Sequence, residues 1–198
     1  MKPKNALEKL KPLLNASSFT SGEARFYGVS SSTLAYYVKQ NELTRIGHGI
    51  YRGANAPVVD DFRWEDLIEA MQRVKEGVIC LTSALSLYQL TEEMPSQHWI
   101  AIRNETIHRA MPGTKVVRMR NLTLGKTTIK IGNITLSIFD RERTIADAFR
   151  YLGRETALKA LKIALTKKGR EKIDIEKIRQ YAKKLRIKIE PFLIAMTL

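Results

Sequence analysis

Thr20-Ser21-Gly22-Glu23-Ala24-Arg25-Phe26-Tyr27-Gly28-Val29-Ser30-Ser31-Ser32-Thr33-Leu34-Ala35-Tyr36-Tyr37-Val38-Lys39 decides the fold of the first part of this chain. Thr20 stands where a helix cap belongs, and Glu23 completes the capping box, satisfying donors that the first turn leaves open. The short helix this opens carries Ala24 and Tyr27 and stops at Gly28, which tolerates the positive φ of a helix end. A serine cap then opens a second helix. Leu34, Tyr37 and Val38 share one face, while Ser32, Thr33, Tyr36 and Lys39 point more nearly the other way. Two short helices joined through a glycine and a serine turn have the spacing of a helix-turn-helix.

The flanking residues extend this reading. Asn5 to Leu14 places Leu7, Leu10 and Leu14 on one face of a preceding helix. Leu43-Thr44-Arg45-Ile46 and Ile50-Tyr51-Arg52 alternate as two strands around Gly47-His48-Gly49. A hairpin directly after the second helix is a wing, so residues 1–56 are expected to form a winged helix-turn-helix. The competing reading is a small helical domain that happens to carry a hairpin. Base edges and phosphates are met by the N-terminal part of such a second helix and by the wing. The expected DNA contacts are therefore Ser31, Ser32, Thr33, Tyr36, Lys39, Arg45, His48 and Arg52. For His48, between two glycines, a plain turn residue is the alternative.

The chain has 198 residues, a net charge of +14 and 44% hydrophobic residues, which suits one or two globular domains. The charge is unevenly placed. Residues 1–56 hold eight Lys/Arg against three acids, residues 57–140 ten against ten, and residues 141–198 sixteen against seven. Two basic ends around a neutral middle point to two anion-facing surfaces, with solvated helix faces as the alternative for the C-terminal one. The single cysteine, Cys80, lies in the apolar run Val78–Leu81 and reads as a small buried hydrophobe. The start, Met1-Lys2-Pro3-Lys4, leads into a charged helical pattern, and no run reaches the roughly 18 apolar residues of a membrane span. A cytoplasmic protein with no membrane association is expected.

Beyond Asn55-Ala56-Pro57, read as a linker, residues 57–198 alternate helical and strand patterns. Trp64 to Lys75 is amphipathic with Leu67, Ile68, Met71 and Val74 inward, and Leu81 to Leu90 is a more buried helix. His98–Arg103, Lys115–Arg120, Thr127–Ile131 and Ile134–Phe139 alternate as strands, with Gly132-Asn133 as a turn. The expected fold class is α+β: a winged helix-turn-helix, then a mixed domain with a small antiparallel sheet and C-terminal helices. From Arg141 onward the stripes are helical: Ile145/Ala148/Phe149/Leu152, Leu158/Leu161/Ala164/Leu165 and Ile175/Ile178/Ala182/Leu185. Lys159, Lys162, Lys167, Lys168, Lys183 and Lys184 lie outside those stripes as a basic surface for a partner. Pro191 to Met196 is expected to pack back as a last helical turn or two.

Three runs resemble the AbiEi-type antitoxins, a family also described as predicted transcriptional regulators of viral defence systems. The first is Gly28 to Leu34 continuing to Leu43–Arg52, which looks like the family's helix-turn-helix and its wing ending in Gly-Ile-Tyr-Arg. The second is Leu81-Thr82-Ser83-Ala84-Leu85-Ser86-Leu87-Tyr88-Gln89-Leu90. The third is Phe139-Asp140-Arg141-Glu142-Arg143-Thr144-Ile145-Ala146-Asp147-Ala148. The resemblance implies an antitoxin of a bicistronic toxin–antitoxin system linked to abortive infection. It further implies autorepression through inverted repeats in its own promoter, with a possible homodimer on DNA. The C-terminal domain would counteract a nucleotidyltransferase-like toxin, and the six lysines are the surface expected to face it.

Catalytic and metal chemistry find little footing. His48, His98 and His108 are scattered, with no metal-ligand spacing. Asp60-Asp61 and Glu92-Glu93 sit in linker or helix-end contexts. Gly125-Lys126-Thr127-Thr128 ends like a phosphate-binding loop but lacks the earlier glycine and precedes a strand. Asp140 reads as a helix cap and Asp147 as half of an ion pair. No cofactor is expected. The alternatives kept open are a stand-alone regulator whose second domain dimerises or senses an effector, and a nucleic-acid-acting enzyme with a winged-helix targeting module.

Overall fold

A computed structural model describes residues 4–16, 18–47, 49–56, 64–74, 76–108, 110–132 and 134–197. The fold is mixed α and β, with two separate sheets. The chain divides into two compact units: Met1–Gln72 with Lys130–Thr135, and Arg73–Ile129 with Leu136–Leu198.

The first unit opens with α1 (Lys4–Leu14), followed by β1 (Phe19–Thr20), α2 (Ser21–Phe26) and α3 (Ser31–Lys39). The hairpin β2 (Leu43–Gly47) and β3 (Ile50–Gly53) comes next, and then α4 (Glu65–Arg73). The capping box at the start of α2 is complete: Glu23 N–H donates to Thr20 Oγ1 at 3.1 Å and Thr20 N–H to Glu23 Oε2 at 2.6 Å. Gly28 follows α2 at φ +73°, which L-residues rarely adopt, so the turn into α3 needs this glycine. Leu10, Phe19, Ala24, Val29, Leu34, Tyr37, Leu43 and Tyr51 form one buried core. Phe19 and Thr20 pair with Tyr51 and Ile50, giving a three-stranded antiparallel sheet in the order β1-β3-β2. Gly53 ends β3 where an added Cβ would stand 2.7 Å from the Leu14 carbonyl oxygen, so α1 can close on the sheet only with glycine there. Strand β1 escapes sequence reading because two residues are too few to show a period.

Helix α4 buries Leu67, Ile68 and Ala70, while Met71, expected inward, is half-buried. Within the first unit α4 is tied by Gln72 Nε2 donating to Ser18 Oγ at 2.6 Å and by an Arg52–Glu65 ion pair at 2.8 Å.

The second unit contains β4 (Val78–Ile79), α5 (Leu81–Leu87), β5 (His98–Ile102), β6 (Thr114–Arg118) and the greater part of β7 (Lys126–Ile131) and β8 (Ile134–Phe139). Helices α6 (Arg141–Tyr151), α7 (Arg154–Thr166), α8 (Ile175–Leu185) and α9 (Glu190–Thr197) complete it, with a short 3-10 turn at Gly169–Glu171. The expectation of an antiparallel sheet is corrected here. The strand order is β6-β5-β4-β8-β7; both β4–β8 and β5–β6 run parallel, and β4–β5 runs antiparallel. Central β4 is two residues long, so no alternation announces it, and β6 lies alongside β5 in the same direction. The hairpin turn residue Asn133 lies outside the described residues.

Cys80 is fully buried with Val78, Leu81, Ala101 and Phe139, and burial holds its thiol well above the usual range, as a structural cysteine requires. The C-terminal helices enclose a second core of Ile145, Ala148, Ala157, Leu161, Ala164, Ile178, Ala182 and Leu193. Leu193 lies on α9, so the apolar tail does pack back as a helix.

Asp140 caps α6 by accepting from Arg143 N–H at 2.8 Å, and its other oxygen accepts from Tyr181 Oη at 2.9 Å and Lys177 Nζ at 3.0 Å. Glu142 accepts from Lys177 Nζ and from Asp174 N–H, which locks α8 onto the start of α6. Asp147 forms its ion pair with Arg143 inside the unit.

Candidate nucleic-acid interface

Helix α3 owes its placement to Ser30, whose hydroxyl accepts from Thr33 N–H at 3.2 Å and caps the first turn. Leu34 and Tyr37 are buried and Val38 is half-buried, so the opposite face is turned outward. That face consists of Ser31, Ser32, Ala35, Tyr36 and Lys39, all exposed. Ser32, Tyr36 and Lys39 stand at i, i+4 and i+7, a row along one side of the helix. Thr33, expected with them, is half-buried, and its hydroxyl lies 2.9 Å from Ser30 Oγ. Ser32 Oγ is also within 2.8 Å of Ser30 Oγ, so the hydroxyls at the helix start form one local cluster.

The hairpin after α3 carries Arg45, which is exposed and donates from Nε to the Gly47 carbonyl at 3.2 Å. The register shifts between Arg45 and Gly47, a bulge that twists the strand end before the turn. Arg52 is the second hairpin arginine among the expected DNA contacts. It pairs across the hairpin with Thr44, its side chain is 16% exposed, and its guanidinium meets Glu65 at 2.8 Å. That carboxylate is thirteen residues away, beyond any local pattern. His48 lies outside the described residues.

Sequence reading passed over Phe26 and grouped Tyr27 with Ala24, although Tyr27 is 37% exposed. Phe26 is 87% exposed at the end of α2 and meets the Tyr27 ring edge-on at 5.6 Å, with Arg25 exposed beside them. The signal was available: Ala24 is the buried residue of α2, so a side chain two positions on projects from another face.

The six C-terminal lysines do not form one uniform surface. Lys159 pairs with Glu155 at 2.7 Å, and Lys167 is 19% exposed with Glu171 at 3.4 Å. Lys159 and Lys162 line a shallow cleft with Glu92 and Glu93, which offsets their charge. Lys168, Lys183 and Lys184 are exposed, the last two in the final turn of α8. Asp60 and Asp61 lie outside the described residues. Among the described residues, no group of three or more His, Cys, Asp or Glu is arranged to hold a metal ion. No described helix is long and apolar enough to cross a membrane.

Residues 9–52 match the family model described as transcriptional regulator, AbiEi antitoxin. The match runs from within α1 to the third residue of β3, covering the two helices, their turn and most of the hairpin. It includes the first of the three resembling runs; Leu81–Leu90 and Phe139–Ala148 lie beyond it. No curated protein matches the chain.

Proposed function

We propose that this chain is a cytoplasmic transcriptional autorepressor and antitoxin whose residues 1–56 act as a winged helix-turn-helix. The observation that carries the reading is the outward row Ser32, Tyr36 and Lys39 on α3, with exposed Arg45 on the hairpin that follows, inside the segment matching the regulator family. In this reading α3 enters the major groove, where hydroxyl and amine donors meet base edges and phosphates. Arg45 reaches the backbone or the minor groove, while Arg52 holds the hairpin on α4. A homodimer would engage inverted repeats in the chain's own promoter. The remainder of the chain would counteract a nucleotidyltransferase-like toxin, through the exposed Lys162, Lys168 and Lys183 above all. Its linkage to abortive infection follows from the same resemblance.

The test is binding to the chain's own promoter, measured by fluorescence anisotropy on duplex DNA. Tyr36→Ala and Lys39→Ala are each expected to weaken specific binding by about 1–3 kcal/mol, with the far-UV spectrum unchanged. Specific affinity left intact in the double variant would remove α3 as the recognition element.

A further inference from the structure

The second unit contains a half-open cavity of about 430 Å³, within the usual size range of small-molecule sites, and half of the residues lining it are cationic. Arg118, Arg120, Arg143, Arg150, Lys184 and Arg186 line it, with Asp147 as the single carboxylate. Asp147 pairs with Arg143 at 2.7 Å and also feels the charge of Arg150, so one carboxylate serves two of the six cations. Nearby on the same unit several cations are paired: Lys177 with Asp140 and Glu142, Arg179 with Glu176 and Glu190, Lys167 with Glu171. Among the described residues, Arg118, Arg120, Arg150, Lys184 and Arg186 are in no ion pair. Gathering five like charges around one cavity with a single carboxylate among them opposes folding, and an anionic ligand removes that opposition.

Two of these cations are held in place by neutral acceptors, which fix a guanidinium while leaving its charge available. Arg118 Nη1 donates to the carbonyls of Asn104 and Thr106 at 2.6 and 2.9 Å, and Arg150 Nη1 donates to the Leu185 carbonyl at 2.8 Å. A third is placed at a conformational cost. Arg186 ends α8 in the left-handed region, at φ 56° and ψ 50°, where glycine is the favoured residue. A glycine would close the helix with less strain, yet the chain presents a guanidinium to the cavity at that position. Tyr151, 38% exposed, adds an aromatic face to the same lining.

We infer that this cavity is a binding site for a nucleotide carrying two or three phosphates. The arginines and Lys184 would take the phosphate oxygens through charge-assisted hydrogen bonds, and Tyr151 would stack on the base. The Arg150 guanidinium already lies over the Tyr151 ring at 5.7 Å, so a base stacking there would sit beside a fixed cation. Nothing in this site depends on residues 1–56, so it stands or falls apart from the DNA-binding reading.

The experiment is isothermal titration of the full chain with ATP, GTP, ADP, AMP, adenosine and inorganic pyrophosphate. ATP or GTP is expected to bind at least tenfold more tightly than AMP and more tightly than pyrophosphate, with adenosine silent. Lys184→Gln and Arg120→Gln, both at exposed positions, are each expected to lower triphosphate affinity about tenfold, the loss of one charge-assisted contact. Arg186→Gly separates ligand binding from stability. It is expected to lower affinity by a similar factor while raising the melting temperature of the ligand-free protein by about 2–4 °C. Failure of every nucleotide to bind overturns the proposal, as does wild-type affinity in all three variants. So does pyrophosphate matching ATP, or an unphosphorylated single-stranded oligonucleotide outcompeting ATP through the same residues, which would make the cavity an anion or nucleic-acid site instead.

Discussion

Arg143 and Asp147 face each other one helical turn apart on α6, each 2% exposed, with Nε and Oδ2 separated by 2.7 Å. The rest of the guanidinium spans the 119–125 segment. It donates to the Leu124 carbonyl at 2.9 Å and the Asn121 carbonyl at 3.2 Å, and lies over the Phe139 ring at 4.5 Å. Gly125 completes the fit, because an added Cβ would come within 2.7 Å of Arg143 Cβ. One arginine thus joins α6 to the connection between β6 and β7.

Arg143→Met is expected to destabilise the protein by about 3–5 kcal/mol, because it leaves Asp147 charged and alone in the interior. Adding Asp147→Leu should recover part of that loss. Recovery stays incomplete, since the orphaned Leu124 and Asn121 carbonyls still cost roughly 1–3 kcal/mol each where they remain dry. Urea titrations of the three proteins check the order: wild type, then double, then single variant. A double variant no more stable than Arg143→Met would show the ion pair to be irrelevant.

Alkaline pH should loosen the second unit. Burial pushes the Tyr88 phenol up to about 12, and Tyr181 is raised by burial and by its hydrogen bond to Asp140. Burial lowers the Lys177 ammonium, but the hydrogen bond and charge of Asp140 and the charge of Glu142 outweigh it and raise it. All three groups hold their protons more tightly folded than unfolded. Their stabilisation is therefore complete below about pH 10 and lost as pH rises through the folded values. The urea midpoint is expected to fall between pH 10 and 12, less steeply in Tyr88→Phe. A flat profile across that window would contradict the Asp140–Lys177–Tyr181 network.

Ser30→Ala removes the cap of α3 and the partner of the Ser32 and Thr33 hydroxyls, and is expected to cost about 1 kcal/mol. Ser31→Ala, at an exposed position without a cap role, should cost much less. Thermal unfolding of both variants decides whether the cap or the exposed serine matters.

Arg45 and Arg52 should separate in their response to salt. Arg45→Ala is expected to lower the magnitude of the slope of log K against log salt by about one, as for one lost phosphate contact. Arg52→Ala should leave that slope alone and instead reduce stability, because its guanidinium serves Glu65. Equal slope changes in the two variants would return Arg52 to the DNA-contacting set.

Charge reversal of Lys162, Lys168 and Lys183 to Glu should weaken protection against a co-expressed nucleotidyltransferase-like partner while promoter binding persists. Like charges facing each other across an interface cost several kcal/mol. Full protection by a soluble triple variant would place toxin contact on another surface.

What the sequence determined by itself is the local physics of the first unit. The Thr20–Glu23 box, the Gly28 turn, the outward row on α3 and the strands flanking residues 47–49 depend on contacts a few residues apart, and each is present in the fold. Caps at Asp140 and the ion pair at Asp147 were legible for the same reason, being separated from Arg143 by three and four residues. The tertiary structure decided everything that depends on distant partners. It sets the two-residue strands β1 and β4 against longer neighbours and makes two of the strand pairs parallel. It gives Arg52 a carboxylate from α4, and it gathers Arg118, Arg150 and Arg186 around one cavity. No spacing rule joins those residues. Periodicity reports which face of an element is apolar, whereas the position of a charge relative to another element is settled only when cores close and bring the elements together.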